Sequence, residues 1–281
     1  MNVKESLIER GVYSLFESSR YGRIDAEQES FLSALFNMPE LLIPICRKSF
    51  DNDVSSRREF LNSVYRYAST SNIDLSEKQE WLNLCEDISS KISESDSNSI
   101  LNGYEDYAIE AASHQKSFDW EPLFCKVYEA QKNRNYTYSS FRNILGKYAS
   151  SNVDSFASFV SDEVFCSKSK PSYVTRSCLY SEYISQGLLS KKTARKMRSD
   201  GSSDASIAAL KSLFDNASSY ENFDDLVLQF SDSKYDDVVV YLAKNLPEYL
   251  LTSIMGTTSH WGKVELERRF RQIEREREQH G

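Results

Sequence analysis

Glycine and proline are scarce in this chain: its 281 residues hold nine Gly and five Pro. A β-sandwich or barrel turns often, and tight turns need Gly, Pro, Asn or Asp at special dihedrals, so the scarcity argues against an all-β fold. Gly-rich phosphate loops are missing too, since neither GxGxxG nor GxxxxGK[ST] occurs. The three histidines, His114, His260 and His280, stand at no metal-ligand spacing from one another or from Cys, and HExxH and CxxC are absent. The longest apolar runs, LLIPIC and VVVYLA, fall far short of the roughly 20 residues that span a bilayer. The opening MNVKESLIERGVYSLFESS mixes charges with apolar residues and lacks the apolar centre of a secretory signal. Five scattered cysteines, an odd number without a close pair, read as reduced thiols in an intracellular protein. The expectation is a soluble cytoplasmic protein with no membrane contact, no metal and no cofactor.

The net charge of −8 argues against a surface that grips phosphates everywhere, although a local basic patch remains open. With 17 Tyr and 15 Phe the chain has the material for a core, which excludes disorder over most of its length. Its length suits one elongated domain or two compact ones.

What is present is repetition. Cys46, Cys85, Cys125 and Cys166 follow one another at about 40 residues, in the similar words LLIPIC, WLNLC, EPLFC and DEVFC. A second word recurs about twenty residues after each Cys: FLNSVYRYAS at 60–69, ILNGYEDYAI at 100–109, FRNILGKYAS at 141–150 and, more weakly, SCLYSEYISQ from Ser177. It puts Asn62, Asn102 and Asn143 in step, with Tyr67, Tyr107 and Tyr148 and Ala68, Ala108 and Ala149. Phe60, Val64 and Tyr67 follow the i, i+4, i+7 spacing of one helical face, as do Phe141, Leu145 and Tyr148. Trp81, Leu84, Cys85 and Ile88 do the same in the first word. Polar links rich in Ser, Asn and Asp separate the words and supply N-caps, as at Ser76-Glu77 and at Asn152-Val153-Asp154.

The unit is a pair of helices, A then B, and one pair cannot bury its apolar face alone. The predicted fold is all-α: a right-handed α-solenoid of stacked pairs with a period of about 40 residues and atypical terminal caps. Residues 1–187 form the array with its N-terminal cap, where Leu7, Ile8, Val12, Leu15 and Phe16 precede Phe31, Leu32, Leu35 and Phe36. Residues 188–281 form a C-terminal helical region continuous with it. The repeated Asn either caps or bridges between repeats, or sits exposed on the B helix. The stretch FDDLVLQFSDSKYDDVVVYLAKNLPEYL resembles a HEAT repeat: an apolar helix over Leu226–Phe230, a turn at Ser231-Asp232-Ser233, and a V…LA pattern from Val238 to Ala243. The β-branched VVVYLA also suits a strand, but its polar flanks and Pro247 favour helix. The HEAT/armadillo-like resemblance implies a superhelical binding surface and no catalytic residue.

For chemistry the sequence offers little. The four repeating Cys sit at core phase and read as buried structural thiols, and Cys178 is no more suggestive. His260 beside Trp261 reads as part of a turn packed by the indole. The carboxylate pairs Asp51/Asp53, Asp224/Asp225 and Asp236/Asp237 stand where they favour helix starts. No catalytic and no metal residue is assigned, and an enzyme with a carboxylate metal site is kept only as a further alternative. The candidate binding residues are basic: Lys191, Lys192, Arg195, Lys196 and Arg198, with Lys191, Arg195 and Arg198 on one helix face. Arg66 and Lys147 on B helices, with Arg57, Arg58 and Arg142 nearby, extend the stripe, which Asp106 interrupts. In the terminal helix, Leu266, Phe270 and Ile273 make an apolar seam flanked by the pairs Glu265/Arg269 and Glu267/Arg271. The expected function is a non-catalytic scaffold or adaptor that binds a protein partner as a subunit or regulator of a larger assembly. The alternative is a nucleic-acid-binding subunit of a DNA- or RNA-processing complex that uses the basic helix.

Overall fold

Each apolar run of period 3.6 is closed by a polar link, and the chain is helical wherever such a run occurs. The computed structural model describes residues 3–51, 55–256 and 259–280, and side chains over 8–51, 58–256 and 259–278. Leu7, Asp53, Arg57 and His280, named above, lie outside the described side chains. Among the described residues the fold is all-α, with no strand.

The chain divides into two units. The first holds residues 1–127 and 138–144. Its helices are α1 (Val3–Arg20), α2 (Ala26–Leu35), α3 (Pro39–Asp51), α4 (Ser55–Thr70), α5 (Gln79–Ile92), α6 (Ser97–Leu101) and α7 (Asp106–Ser113), with most of α8 (Glu121–Gln131) and the start of α9 (Ser139–Ser151). Within it α1 packs on α4 and α4 on α7, while α3 packs on α5 and α5 on α7. The core of α3 is Leu42, Ile45, Cys46 and Ser49; that of α5 is Trp81, Leu84, Cys85 and Ile88. Phe36 stacks on Trp81 with ring centres 5.4 Å apart, and Phe16 meets Phe36, Phe60 and Tyr67 edge-on. Each such ring or aliphatic side chain, fully buried, contributes about 1.5–3 kcal/mol.

The second unit holds residues 128–137 and 145–281. After the rest of α9 come α10 (Val153–Val160), α11 (Tyr173–Ser185), α12 (Lys191–Arg198), α13 (Ser203–Asp215), α14 (Phe223–Val227), α15 (Asp236–Asn245), α16 (Glu248–Leu251) and α17 (His260–His280). Here α11 packs on α13, α13 on α15 and α15 on α17. The HEAT-like stretch forms α14, a 3-10 turn over Leu228–Phe230, and α15, so VVVYLA is helical as expected. Gly262 lets α17 approach α15, because a Cβ there would lie 2.5 Å from Val239 Cγ1.

The last carbonyls of a helix have no partner within it, and in both units a later segment supplies one. Lys78 Nζ and Trp81 Nε1 donate to Phe36 O beyond α2, at 3.0 and 3.2 Å. Lys126 Nζ donates to Ser93 O and Ser95 O beyond α5. Ser172 N and Oγ reach Lys132 O and Arg134 O beyond α8, each at 2.6 Å. Tyr220 OH donates to Ile184 O in α11, at 2.6 Å. Tyr235 OH reaches Asp200 O beyond α12, at 3.1 Å, and Arg269 reaches Lys244 O and Leu246 O at the end of α15.

Several expectations are corrected. The second word of the middle repeat is not one helix: it breaks after Leu101 and resumes at Asp106. Gly103 adopts φ 79° there, a left-handed conformation that L side chains resist, and Gly103 N and Tyr104 N close back on Ile100 O and Ser99 O. Ser76 is no N-cap; Asp74 accepts from Ser76 N at 2.8 Å, and α5 starts only at Gln79. Asn152 does cap α10, accepting from Ser155 N at 3.2 Å. His260 opens α17 instead of lying in a turn, and Trp261 is 59% exposed. Glu265 pairs with Arg268, not Arg269, at 2.6 Å; Glu267 and Arg271 lie 3.9 Å apart.

Cys46 and Cys85 are buried as expected, but Cys125 and Cys166 are exposed and Cys178 is half-buried. The buried positions advance by 39 residues, from Leu42 to Trp81 to Trp120 and from Cys46 to Cys85 to Phe124, so Cys125 falls one residue off the core. Cys166 ends a π-helical turn over Ser161–Cys166, which changes the phase again. Burial holds the Cys46 thiol well above its ordinary range, with Cys85 adding to it, and pushes Cys85 up to about 12. Both therefore stay protonated thiols at neutral pH. Iodoacetamide at pH 8 is expected to label Cys125 and Cys166 in the folded protein and Cys46 and Cys85 only after unfolding, as read by mass spectrometry. Equal labelling rates for Cys46 and Cys166 would overturn this burial pattern.

The second unit also contains a buried ion pair with no counterpart in the sequence reading. Asp200 is fully buried. It accepts from Arg176 Nε and Nη2 (2.7 Å to the latter), from Tyr180 OH at 2.6 Å and from Ser202 N at 3.0 Å. Arg176 also donates to Pro171 O. Asp200→Ala strands a guanidinium in the interior, so a loss of about 3–5 kcal/mol is expected in urea unfolding. An apolar replacement of both partners, Arg176→Met with Asp200→Leu, is expected to recover much of it. A loss under about 1 kcal/mol for Asp200→Ala would show that the pair is not buried in solution.

Candidate binding groove and the basic helix

The in-step asparagines meet. Asn62 on α4, Asn102 at the end of α6 and Asn143 on α9 line one groove of about 680 Å³ in the first unit. Each stands five residues before a buried Tyr, namely Tyr67, Tyr107 and Tyr148. Arg20, Arg66, Asp106, Glu110 and the hydroxyls of Ser63, Ser69, Thr70, Ser139 and Ser140 line it too, with Leu101 the one aliphatic side chain. The break at Gly103 shapes this groove: the helix stops, the glycine lines the opening, and Asp106 starts the next helix facing in.

The groove's polar groups are held from several helices. Ser69 Oγ donates to Glu110 Oε2 at 2.6 Å, tying α4 to α7. Ser140 Oγ donates to Asp106 Oδ1 at 3.0 Å, tying α9 to α7. Removal from water raises the Asp106 carboxyl above the usual range; the Ser140 bond opposes this, Glu110 adds to it, and Arg66 opposes it. Asn62 Oδ1 is buried with no donor among the described residues. The groove therefore offers carboxamides that both donate and accept, two carboxylates and two guanidinium groups.

The seven candidate binding residues are split between the units: Arg66 lies in the first, and Lys147, Lys191, Lys192, Arg195, Lys196 and Arg198 in the second. α12 is capped by Ser190, which accepts from Thr193 N at 3.2 Å. Its predicted face exists, but it is occupied. Lys191 Nζ lies 2.7 Å from Asp225 Oδ2, Arg195 Nε donates to Gln229 Oε1 at 2.8 Å, and Arg198 Nη1 donates to Gln229 O at 3.0 Å and approaches Asp232. Asp225, Gln229 and Asp232 repeat the i, i+4, i+7 spacing, so two complementary stripes meet. Lys196 Nζ lies 5.3 Å from the Phe165 ring centre. Lys192 is exposed and Lys147 half-buried. The Asp224/Asp225 pair is thus partly spent inside the unit, since Asp224 accepts from Tyr249 OH at 2.8 Å.

The groove was only half visible in the sequence. The recurring Asn and the Asn-Gly dipeptide at 102–103 were its signals, and Asp106 and Arg66 were noted only as members of a charge stripe. Glu110, Ser69 and Arg20 had no signal, because their convergence depends on how α1, α4 and α7 pack.

The raised Asp106 carboxyl has a stability consequence. The folded chain holds this proton more tightly than the unfolded chain, so stability falls as pH rises from the unfolded value, about 3.9, through the raised folded value. Asp106→Asn removes that loss. Its stability relative to wild type is expected to improve between pH 4 and pH 7 in urea titrations; a difference independent of pH would sink the assignment.

Among the described residues no helix is long and apolar enough to cross a membrane. Among them, too, no cluster of three or more His, Cys, Asp or Glu is placed to hold a metal ion. Comparison of the chain with protein-family models, with curated proteins and with solved structures gave no match.

Proposed function

We propose that this chain is a non-catalytic helical-repeat scaffold of the HEAT/armadillo-like, right-handed α-solenoid kind, which binds a protein partner in the cytoplasm as a subunit or regulator of a larger assembly. The observation that carries the reading is the convergence of Asn62, Asn102 and Asn143 in one groove. A carboxamide carries the same donor and acceptor as a peptide group. Three of them, fixed at matching places in the recurring word, suit the main chain of an extended partner segment, and Asn62 Oδ1 has no donor among the described residues. The interhelical tethers support the repeat reading. Arg47–Asp87, Ser69–Glu110 and Ser172–Arg134 join residues 40, 41 and 38 apart, and Lys191, Arg195 and Arg198 each reach residues 34 further on.

A protein partner is favoured over nucleic acid because three of the five cations of the basic helix are already matched by Asp225, Gln229 and Asp232. Phosphate binding there would have to displace these partners.

The test is a tagged pull-down from the native host, with and without nuclease, comparing wild type with Asn62→Ala/Asn102→Ala/Asn143→Ala. A stoichiometric protein that survives nuclease and falls at least about tenfold with the variant is expected, a difference of about 1.4 kcal/mol. Loss of bound material on nuclease treatment would instead favour nucleic acid, with the basic helix as its contact. Equal capture by a folded variant would remove the groove from the function.

A further inference from the structure

The charges in the groove are ordered. Arg20 ends α1 and Arg66 lies on α4; both line the groove, and neither forms an ion pair within 4 Å among the described residues. Arg20 also lines an adjoining hollow of about 200 Å³ with Tyr13, Glu17, Tyr21 and Glu59, and no ion pair joins it to either carboxylate there. Asp106 and Glu110 lie one turn apart on α7 and accept from the hydroxyls of Ser140 and Ser69. Because α4 packs between α1 and α7, the sign of charge changes from positive to negative across the groove. Two cations and two anions that share one cleft without pairing are each left to a partner group, and opposite charge across an interface fixes register and orientation.

The occupant's shape follows from the lining. A helix docks through an apolar face into an apolar groove, and here Leu101 is the one aliphatic lining residue. An extended segment instead exposes its main-chain N–H and C=O to the carboxamides of Asn62, Asn102 and Asn143.

We propose that the groove takes an extended segment of a partner protein in one direction, with an acidic side chain at the Arg20–Arg66 end and a basic side chain between Asp106 and Glu110. This rests on the reading of the groove as a protein-binding surface. The carboxamide of Asn62 meets the main chain of the segment between the two charged anchors. The anchors set direction: a reversed segment brings acid to Asp106 and base to Arg66, and both contacts become repulsive.

The experiment pans a displayed library of random 12-residue peptides on the full chain and measures the enriched sequences by fluorescence anisotropy. The expected result is a shared acidic and a shared basic position at constant spacing. Arg66→Glu is expected to weaken these peptides about tenfold, and replacement of the peptide's acidic residue by Lys to restore binding to that variant. Asp106→Asn/Glu110→Gln, which keeps size and hydrogen bonding, is expected to weaken them to a similar degree and to flatten the salt dependence. Peptides that depend on Asn62, Asn102 and Asn143 but ignore both charge variants would overturn the polarity while leaving the groove a peptide site. Failure to enrich any peptide over the triple-Asn variant would overturn the groove reading as well.

Discussion

Every helix leaves its last carbonyls without a partner, and at six of its helices this chain answers that constraint with a donor from a later segment. Trp81 and Lys78 reach back to Phe36, Lys126 to the end of α5, Ser172 to the end of α8, Tyr220 to α11, Tyr235 to Asp200 and Arg269 to α15. The helices are short, from four residues in α16 to 21 in α17. Isolated helices below about 12–15 residues are marginal in water, so burial against neighbours must hold them. Burial is non-directional, however. The tethers add what it lacks, because a donor 2.6–3.2 Å from a defined carbonyl fixes the register of one pair against another.

Two kinds of electrostatic contact divide the work in the second unit. The Lys191–Asp225 pair is half-exposed on both sides, and such a pair is worth at most about 1 kcal/mol. The stripe of α12 against Asp225, Gln229 and Asp232 therefore selects alignment more than it stabilises. Asp200 is different, since it is fully buried and joins α11, through Arg176 and Tyr180, to the start of α13, through Ser202. The same segment presents its own carbonyl to Tyr235, just before α15. The basic helix stood out in the sequence because its partners lie about 34 residues away, where periodicity within one helix does not show them.

The helices were legible because burial leaves a period of 3.6, and the words around Cys46, Cys85, Phe60 and Phe141 carry it cleanly. The in-step Tyr and Ala were legible for the same reason: Tyr67, Tyr107, Tyr148, Ala68, Ala108 and Ala149 are all buried. The cysteines misled because word similarity is not phase. An advance of 40 from Cys85 to Cys125, against 39 for the core, rotates a side chain by about 100° and carries it to the surface. The π-helical turn before Cys166 and the break at Gly103 are local departures from helical period that a periodic template passes over. Asp200 was illegible altogether, since an Asp in the loop before Gly201 reads as a turn residue until Arg176 is brought to it.

The groove gathers several incompletely matched polar groups in one cleft. In the second unit many polar groups are matched: Lys191 and Arg198 of α12 approach acids, Arg195 meets Gln229, and buried Asp200 meets four donors, although Gln131 Oε1 and Arg269 Nε are buried without a partner among the described residues. In the groove Asn62 Oδ1 has no donor among the described residues, Asp106 is desolvated, and Arg66, whose charge offsets part of that, forms no ion pair within 4 Å among them. A buried acceptor left without a donor costs about 1–3 kcal/mol, and a desolvated carboxylate adds to that. Apolar residues at these positions would pack more stably. Such a gathering of unmatched groups is the kind of local inconsistency that functional sites carry, and it supports the proposed reading of the groove. The three asparagines stand at matching places in the recurring sequence word, and the fold delivers all three to one surface.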